Sequence, residues 1–330
     1  MKLLFVFTGG TIGSTKNNNV LSVKDRKAYK IIDAYDSVYG VDFEYDIAEP
    51  YNELSENNTG WHIRRLVESV TQKLNTGYDG IVITHGSDSL QYSAAALGYC
   101  VGSDSIPICI VASNAPIEDE ASNALDNLRG AITFIKGKCG RGVFAVYRNS
   151  DECTVKVHRA TRLIGPKAYS DELSSLFGIT YGAFNDRFEF VKNEEYHERE
   201  DEMMPFDISR LSEESNEILM LGAYTGMIYP DIPQGVKYIL LNTYHSGTLN
   251  VKSKQTERFL KTARERGVKV FATGVSHGAQ YESAEQYAVL GIESIKALSP
   301  ISAYVKLWLG SVDGKEPREL FDFSLGGDII

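Results

Sequence analysis

Two segments of the sequence combine hydroxyl side chains with glycines. Residues 8–13 read Thr-Gly-Gly-Thr-Ile-Gly, and residues 84–89 read Thr-His-Gly-Ser-Asp-Ser. Glycines let a backbone approach a ligand closely and present N–H groups to a developing oxyanion. Hydroxyls at Thr11 and Ser87 and a carboxylate at Asp88 would then converge on one small polar substrate.

A purely structural explanation exists for each segment taken alone. Threonine and serine cap helices, and glycine forms tight turns. Two such segments, each directly after a predicted buried strand, make that explanation less satisfactory. Ligands of open α/β sheets bind at the carboxyl ends of parallel strands, so the pair favours a site.

Several other chemistries lack support in the sequence. Residues 9–13 match neither the lysine-bearing phosphate loop nor the Gly-x-Gly-x-x-Gly dinucleotide turn, and no Gly-x-Ser-x-Gly elbow occurs. The histidines show no metal-ligand spacing, which argues against a zinc enzyme. They are His62, His85, His158, His197, His245 and His277. His245 and His277 could approach the site from the second domain, but a lone histidine is more often structural, and we assign them no catalytic role.

Alternating strands and helices are predicted to position the two segments. The apolar run 2–7 predicts a buried strand, and a helix ending near Gly77 is followed by a second strand at 80–84. The pattern continues with helices at about 89–100 and 122–135 and strands at 106–112 and 143–147. It predicts an α/β fold in which helices cover both faces of a parallel sheet.

An acidic, polar stretch at 193–215 divides the sequence. We predict that it links an N-terminal α/β catalytic domain, residues 1–192, to a smaller C-terminal α/β domain, residues 216–330. In the second domain the predicted strands are 218–223, 238–241 and 268–273, and the predicted helix is 256–266.

Composition and charge limit the partners and the compartment. The chain has 330 residues, 43% of them hydrophobic, and a formal net charge of −10, which repels nucleic acids and anionic membrane surfaces. The opening apolar run is too short for a signal peptide and has no cleavage site, so we interpret it as a strand. Four cysteines without short-spacing motifs favour a reduced, cytoplasmic setting.

The two segments resemble the active-site motifs of the bacterial-type L-asparaginase/glutaminase family, which includes the type I asparaginases. Their usual forms there are Thr-Gly-Gly-Thr-Ile and Thr-His-Gly-Thr-Asp-Thr. Further similar segments follow in the order of the family along most of the chain. They are residues 54–57, 126–128, 140–144, 244–248 and 303–307.

The resemblance implies a hydrolase that converts L-asparagine to L-aspartate and ammonia without a metal or cofactor. Thr11 would be the nucleophile that forms an acyl-enzyme, and Ser87, Asp88 and a lysine would form a second hydroxyl centre. Ser55 and Glu56, with Asp88, would bind the α-carboxylate and α-amino group of the amino-acid amide. Backbone N–H groups near Gly86 would stabilise the oxyanion, and Gly10 would lie against the substrate.

The sequence departs from the family at four places. Ser87 replaces a threonine and keeps the hydroxyl. Ungapped spacing provides no lysine, so Lys167 is predicted with a small gap, and Arg162, which cannot act as a base, is the alternative. Residues 15–28 lack the family's loop tyrosine, and Tyr29 is expected to be a core or helix-face aromatic. Glu56 replaces a neutral residue; it would either pair with the substrate ammonium or disfavour its carboxylate.

Three functional hypotheses follow. The leading one is a cytoplasmic asparaginase that forms a homodimer or homotetramer, with residues 244–248 near the subunit contact. The second is a non-catalytic asparagine- or aspartate-binding protein of the same fold, suggested by the missing loop tyrosine. The third is an amidotransferase subunit that passes ammonia to a partner. The preference between asparagine and glutamine stays open.

Overall fold

The structure is a computed structural model. It describes residues 1–10, 15–17, 20–22, 29–199, 201, 205–214, 217–275 and 281–330. The strands are β1 (Lys2–Phe7), β2 (Thr15–Asn17), β3 (Val20–Ser22), β4 (Glu44–Ala48), β5 (Gly80–Thr84), β6 (Ile108–Val111), β7 (Val143–Tyr147), β8 (Lys156–Arg159), β9 (Gly182–Phe184), β10 (Phe190–Lys192), β11 (Ile218–Gly222), β12 (Tyr238–Asn242), β13 (Lys269–Thr273) and β14 (Ile292–Ser294). The helices are α1 (Lys30–Tyr39), α2 (Gly60–Thr71), α3 (Leu90–Val101), α4 (Ala124–Lys136), α5 (Lys254–Glu265), α6 (Glu282–Glu285), α7 (Tyr287–Leu290), α8 (Pro300–Asp313) and α9 (Pro317–Phe321).

The larger sheet has the strand order β10-β9-β8-β7-β6-β5-β1-β4. From β4 to β7 all neighbouring strands are parallel, as the sequence pattern predicts. Alternate side chains of β1 enter two separate hydrophobic clusters. Leu4 and Val6 pack with residues of α2 and α3, whereas Leu3 and Phe5 pack with residues of α1 and α4. Helices therefore cover both faces, and the predicted α/β fold is confirmed.

The sheet is not parallel throughout, which corrects one part of the prediction. Strands β8, β9 and β10 extend it beyond β7 with antiparallel pairing. These strands have three or four residues each, so they carry too little apolar periodicity to be detected in the sequence. The connections from β7 to β8 and from β9 to β10 are too short for a crossover helix, so these neighbours can pair only in antiparallel fashion.

A second sheet, of order β11-β12-β13-β14, is parallel in all its described pairs. The predicted linker 193–215 falls between β10 and β11, the strands that flank it in the two sheets. Helix α8 follows the second sheet in the chain but packs against α3 of the first. The hydroxyl oxygen of Tyr99 in α3 lies 3.2 Å from the carbonyl oxygen of Ser302 in α8. The division into two domains at 193–215 stays a prediction.

A buried ion pair holds the carboxyl-terminal segment against α8. Lys306 of α8 donates to the carboxylate of Asp328 at 2.8 Å, and neither side chain is exposed. The carbonyl of Phe323 accepts a second bond from Lys306, and the hydroxyl of Tyr99 donates to Asp328. Because each buried charge meets an opposite charge and further hydrogen bonds, the pair can be tolerated in the interior.

Candidate active site

The backbones of the two glycine-bearing segments touch. Strands β1 and β5 pair in parallel with Phe7 opposite Thr84, so both chains leave the sheet at the same edge. Gly10 has a φ of +78°, and a Cβ atom placed there would lie 2.5 Å from the Cα atom of Gly86. A side chain at residue 10 would therefore meet both backbone strain and a steric clash.

A third segment joins this contact. Glu53 donates its N–H to the carbonyl of Thr8 at 3.1 Å and accepts the N–H of Gly10 at 3.2 Å. Two residues further on, Ser55 is buried, and its Oγ would lie only 2.5 Å from a Cβ atom on Gly86. The structure thus brings Ser55, Gly10 and Gly86 together, as the sequence analysis expected of substrate-binding residues.

His85 shapes the second segment, a role that sequence reasoning did not identify. The ring is fully buried, its Nδ1 lies 2.8 Å from the carbonyl of Gly86, and its Nε2 lies 3.3 Å from the amide nitrogen of Asn58. These partners fit a neutral ring that donates from Nδ1 and accepts at Nε2. Burial lowers the pKa of His85 to about 4. The histidine therefore holds the Gly86 carbonyl and is uncharged at neutral pH.

Ser87 and Asp88 face two cavities beside the glycine contact. Both side chains line a small cavity of about 50 Å³, together with Gln91 and Tyr147. Asp88 also lines a larger cavity of about 590 Å³. Ser55 and Glu56 lie on the polar wall of the larger cavity, and Tyr92, Tyr304 and Trp308 lie among its aromatic residues. The predicted substrate-binding and second-centre residues, Lys167 excepted, therefore surround one region.

The amino-terminal end of α3 borders this region. Leu90 and Gln91, its first two residues, line the small cavity with Asp88. Ser89 precedes the helix, but its hydroxyl donates to the carbonyl of Ser55 at 2.6 Å and does not cap α3. The first N–H groups of a helix carry a partial positive charge that stabilises anions. This end of α3 can thus stabilise negative charge that develops near Ser87.

The two candidates for the lysine position lie in different surroundings. Arg162 is fully buried, and its guanidinium donates to the carbonyls of Gly327, Ile329 and His197, at the carboxyl terminus and after β10. These bonds give Arg162 a structural role in holding the carboxyl-terminal segment. The Lys167 side chain is 79% exposed and lies 3.5 Å from the carboxylate of Glu172. Its assignment to the site stays a prediction.

Two residues named in the sequence analysis, Thr11 and His277, lie outside the described residues. Gly10 is the last described residue before Thr11. Tyr29 directly precedes α1, is 43% exposed and packs edge-on against Phe7 with ring centres 5.5 Å apart. That position suits the structural role expected of this tyrosine. His245 is exposed in a loop after β12.

Within the described part of the chain, no group of three or more His, Cys, Asp or Glu side chains is arranged to hold a metal ion. The same residues include no helix that is long and apolar enough to cross a membrane. All four cysteines, Cys100, Cys109, Cys139 and Cys153, are free thiols.

The fold and the site define an α/β protein whose two glycine-bearing segments meet at the carboxyl ends of paired parallel strands, with a helix amino terminus beside them. The sequence profile of the family described as "Asparaginase, N-terminal" matches residues 2–182. The chain therefore belongs to the asparaginase family.

Individual relatives agree with this membership. The L-asparaginase of Thermococcus kodakarensis is 27% identical over 346 residues, which cover 100% of this chain and 99% of that protein. The solved structure of the thermostable L-asparaginase from the same organism has a TM-score of 0.78 at 21% identity, covering 100% of this chain and 99% of that one. A glutamyl-tRNA(Gln) amidotransferase subunit from Methanosphaera stadtmanae is 27% identical over 165 residues, which cover 48% of this chain and 36% of that protein.

Proposed function

We propose that the protein hydrolyses the side-chain amide of L-asparagine to give L-aspartate and ammonia. The contact between Gly10 and Gly86 supports this proposal most directly. Through this contact Gly10, the residue that directly precedes Thr11, lies against the segment that carries Ser87 and Asp88. Two hydroxyl groups on neighbouring segments are the arrangement that a two-centre amide hydrolysis requires.

In the proposed reaction the Thr11 oxygen attacks the amide carbon and loses its proton to a base. The carbon–nitrogen bond then breaks, and the nitrogen leaves as ammonia after taking up a proton. Water attacks the resulting ester, releases aspartate and restores the hydroxyl. Backbone N–H groups near Gly86 and Ser87 would stabilise the oxyanion of each step, assisted by the amino-terminal end of α3.

Ser55, Glu56 and Asp88 are proposed to bind the backbone groups of the substrate. The carboxylates of Glu56 and Asp88 lie on the wall of one cavity, where they would attract the α-ammonium group. Ser55 would donate its hydroxyl to the α-carboxylate. A substitution Glu56→Gln is expected to change the ratio of kcat/KM for asparagine and glutamine, because it removes one of the two charges that position the ammonium.

Lys167 is retained as the proposed base of the second centre. Its partner Glu172 lines the small cavity with Ser87, so a rotation of the exposed side chain would be needed to approach Ser87. Lys167→Met tests the assignment. A loss of kcat of at least about 100-fold, the usual range for a general base, supports it, and unchanged kcat removes Lys167 from the mechanism.

The proposed function is tested by ammonia release from asparagine and from glutamine. The purified wild type is expected to release ammonia from asparagine, with aspartate formed in equal amount. The binding-protein hypothesis predicts instead that aspartate raises the melting temperature while no product forms from either amide. Sustained turnover of asparagine would exclude that alternative.

A second candidate function is an ammonia-supplying component of a larger enzyme. The similarity to part of a glutamyl-tRNA(Gln) amidotransferase favours it. Co-purification of a second protein in stoichiometric amount, with ammonia release stimulated by that protein, would support this function.

We further propose a cytoplasmic homodimer or homotetramer with residues 244–248 near the subunit contact. These residues form a turn in which Gly247 donates its N–H to the carbonyl of Tyr244 at 2.8 Å. The hydroxyl of Tyr287 donates to the carbonyl of Gly247 at 2.9 Å, which fixes the turn against α7. Sedimentation that shows only monomers at micromolar concentration would contradict the proposal.

A further inference from the structure

The small cavity beside Ser87 is lined by negatively charged side chains that accept hydrogen bonds. Three carboxylate residues contribute to its wall: Asp88, Asp171 and Glu172. None of the described lining residues carries a positive charge. The cavity has a volume of about 50 Å³, which exceeds the space that one water molecule requires. The three carboxylates carry more charge than the partial positive charge of about half a unit at the α3 amino terminus, so the charge and size of the cavity suit a small cation.

One buried side chain points to a ligand in the same cavity. Gln91 is 3% exposed, and its amide nitrogen donates to the carbonyl of Asp88 at 3.0 Å, which leaves Oε1 as the acceptor. Among the described residues that oxygen has no hydrogen-bond partner. Buried polar atoms without partners are rare because each costs free energy. A ligand that donates hydrogen bonds would satisfy Oε1 of Gln91.

Two cationic side chains close in sequence to the lining residues have partners outside the cavity. Arg162 donates to backbone carbonyls at the carboxyl terminus and beyond β10. Arg148 forms an ion pair with Asp126 at 2.9 Å. Lys167 is exposed and lies 3.5 Å from the carboxylate of Glu172, so it offsets part of the charge of the wall from outside the cavity. Asp171 accepts a hydrogen bond from the hydroxyl of Ser150 at 2.9 Å, a neutral partner that leaves its charge uncompensated.

We propose that this cavity binds an ammonium ion. The ion carries one positive charge and four N–H donors, and the wall offers Oε1 of Gln91, the hydroxyl oxygen of Tyr147 and the carboxylate of Asp171 as acceptors. Charge-assisted hydrogen bonds of this kind are stronger than neutral ones. Burial raises the pKa of Tyr147 to about 12, and the charge of Asp171 acts in the same direction, so the hydroxyl stays protonated and neutral beside the ion.

The site goes beyond the proposed hydrolysis, although the two are connected. Ser87 lines the cavity, so an ion bound there lies next to the second hydroxyl centre. Ammonia is the leaving group of the proposed reaction and becomes ammonium in water at neutral pH. The protein would thus hold a cation that its own reaction supplies. Binding does not require turnover, so it can be tested whether or not the amide is hydrolysed.

The experiment is a melting-temperature titration of the full chain with ammonium chloride at constant ionic strength. Tetramethylammonium chloride replaces it in the reference series, because that ion has the same charge, no N–H donors and a much larger volume. The wild type should gain about 2–4 °C when ammonium exceeds its dissociation constant about tenfold. The gain should saturate, and tetramethylammonium should give none.

Matched variants identify the site. Asp171→Asn should abolish the gain, whereas Asp186→Asn, the same change in the exposed turn between β9 and β10, should keep it. Tyr147→Phe removes one of the proposed acceptors and should weaken ammonium binding several-fold.

Three results would overturn the proposal. Equal shifts with ammonium and tetramethylammonium would show a salt effect and a cavity that holds only water. An undiminished shift in Asp171→Asn would place the ion elsewhere. A response that appears only in Lys167→Met would show that the lysine ammonium already fills the cavity. If ammonium alone stabilised the protein but no amide were hydrolysed, the proposed function would be refuted and the cation site would be supported.

Discussion

Replacement of Gly10 by alanine tests whether the two glycine segments really depend on their mutual contact. The added methyl group would lie 2.5 Å from the Cα atom of Gly86, and ordinary contacts start near 3.4 Å. The segments must therefore separate by about 1 Å. Overpacking of a tight contact costs about 1–3 kcal/mol, and the positive φ adds about 1–2 kcal/mol for any residue with a Cβ atom.

A matched control separates these two costs. Gly314 has a φ of +81°, close to the +78° of Gly10, but a Cβ atom there would meet no atom within 4 Å. Gly314→Ala should therefore destabilise by the backbone cost alone, about 1–2 kcal/mol. Gly10→Ala should destabilise by about 2–5 kcal/mol in denaturant unfolding.

Activity provides the second readout for the same pair of variants. A displacement of about 1 Å at reacting groups can lower the rate about 100-fold, so kcat of Gly10→Ala should fall by about that factor. Gly314→Ala should keep the kcat of the wild type. If Gly10→Ala destabilised no more than Gly314→Ala and kept its activity, the contact between Gly10 and Gly86 would not exist as described.

Two further predictions concern stability. Lys306→Met leaves the carboxylate of Asp328 buried without its cation and should destabilise by about 3–5 kcal/mol in denaturant unfolding; a loss below about 1 kcal/mol would contradict the buried ion pair. The pKa of His85 is about 4 in the folded protein, against an ordinary value of 6.5, so the unfolded chain binds the proton more tightly. The free energy of unfolding should therefore fall by up to about 3 kcal/mol as the pH drops from 6.5 to 4. His85→Gln should reduce that slope but not remove it, because burial also lowers the pKa of His158, to about 3. The exposed control His245→Gln should leave the slope unchanged, and identical slopes in both variants would show that His85 is not held neutral.

The parallel part of the fold could be predicted from the sequence because its signals are local. Strands β1 and β5 are continuous apolar runs, and the structure places both at the predicted residues. Helices α3 and α4 start within two residues of the predicted positions, since their apolar residues repeat at helical spacing.

Other features depend on tertiary contacts that no local pattern encodes. The edge strand β4 mixes charged and apolar residues and is mostly exposed, so its pairing with β1 defines it. His85 gives no signal in the sequence, because its role requires the Gly86 carbonyl and Asn58 to meet at its ring. Arg162 matched the lysine position by spacing, but its direction follows from the carbonyls of the carboxyl-terminal segment.

The central claim is that the segments containing Gly10 and Gly86 form one catalytic site with two hydroxyls, Thr11 and Ser87. The most direct test measures kcat for ammonia release from asparagine in Thr11→Ala, in Ser87→Ala and in the double variant. Groups that act as one unit lose their effect together, so each single variant should lose at least about 1,000-fold and the double variant little more. Losses that multiply in the double variant, or full activity in either single variant, would contradict the claim.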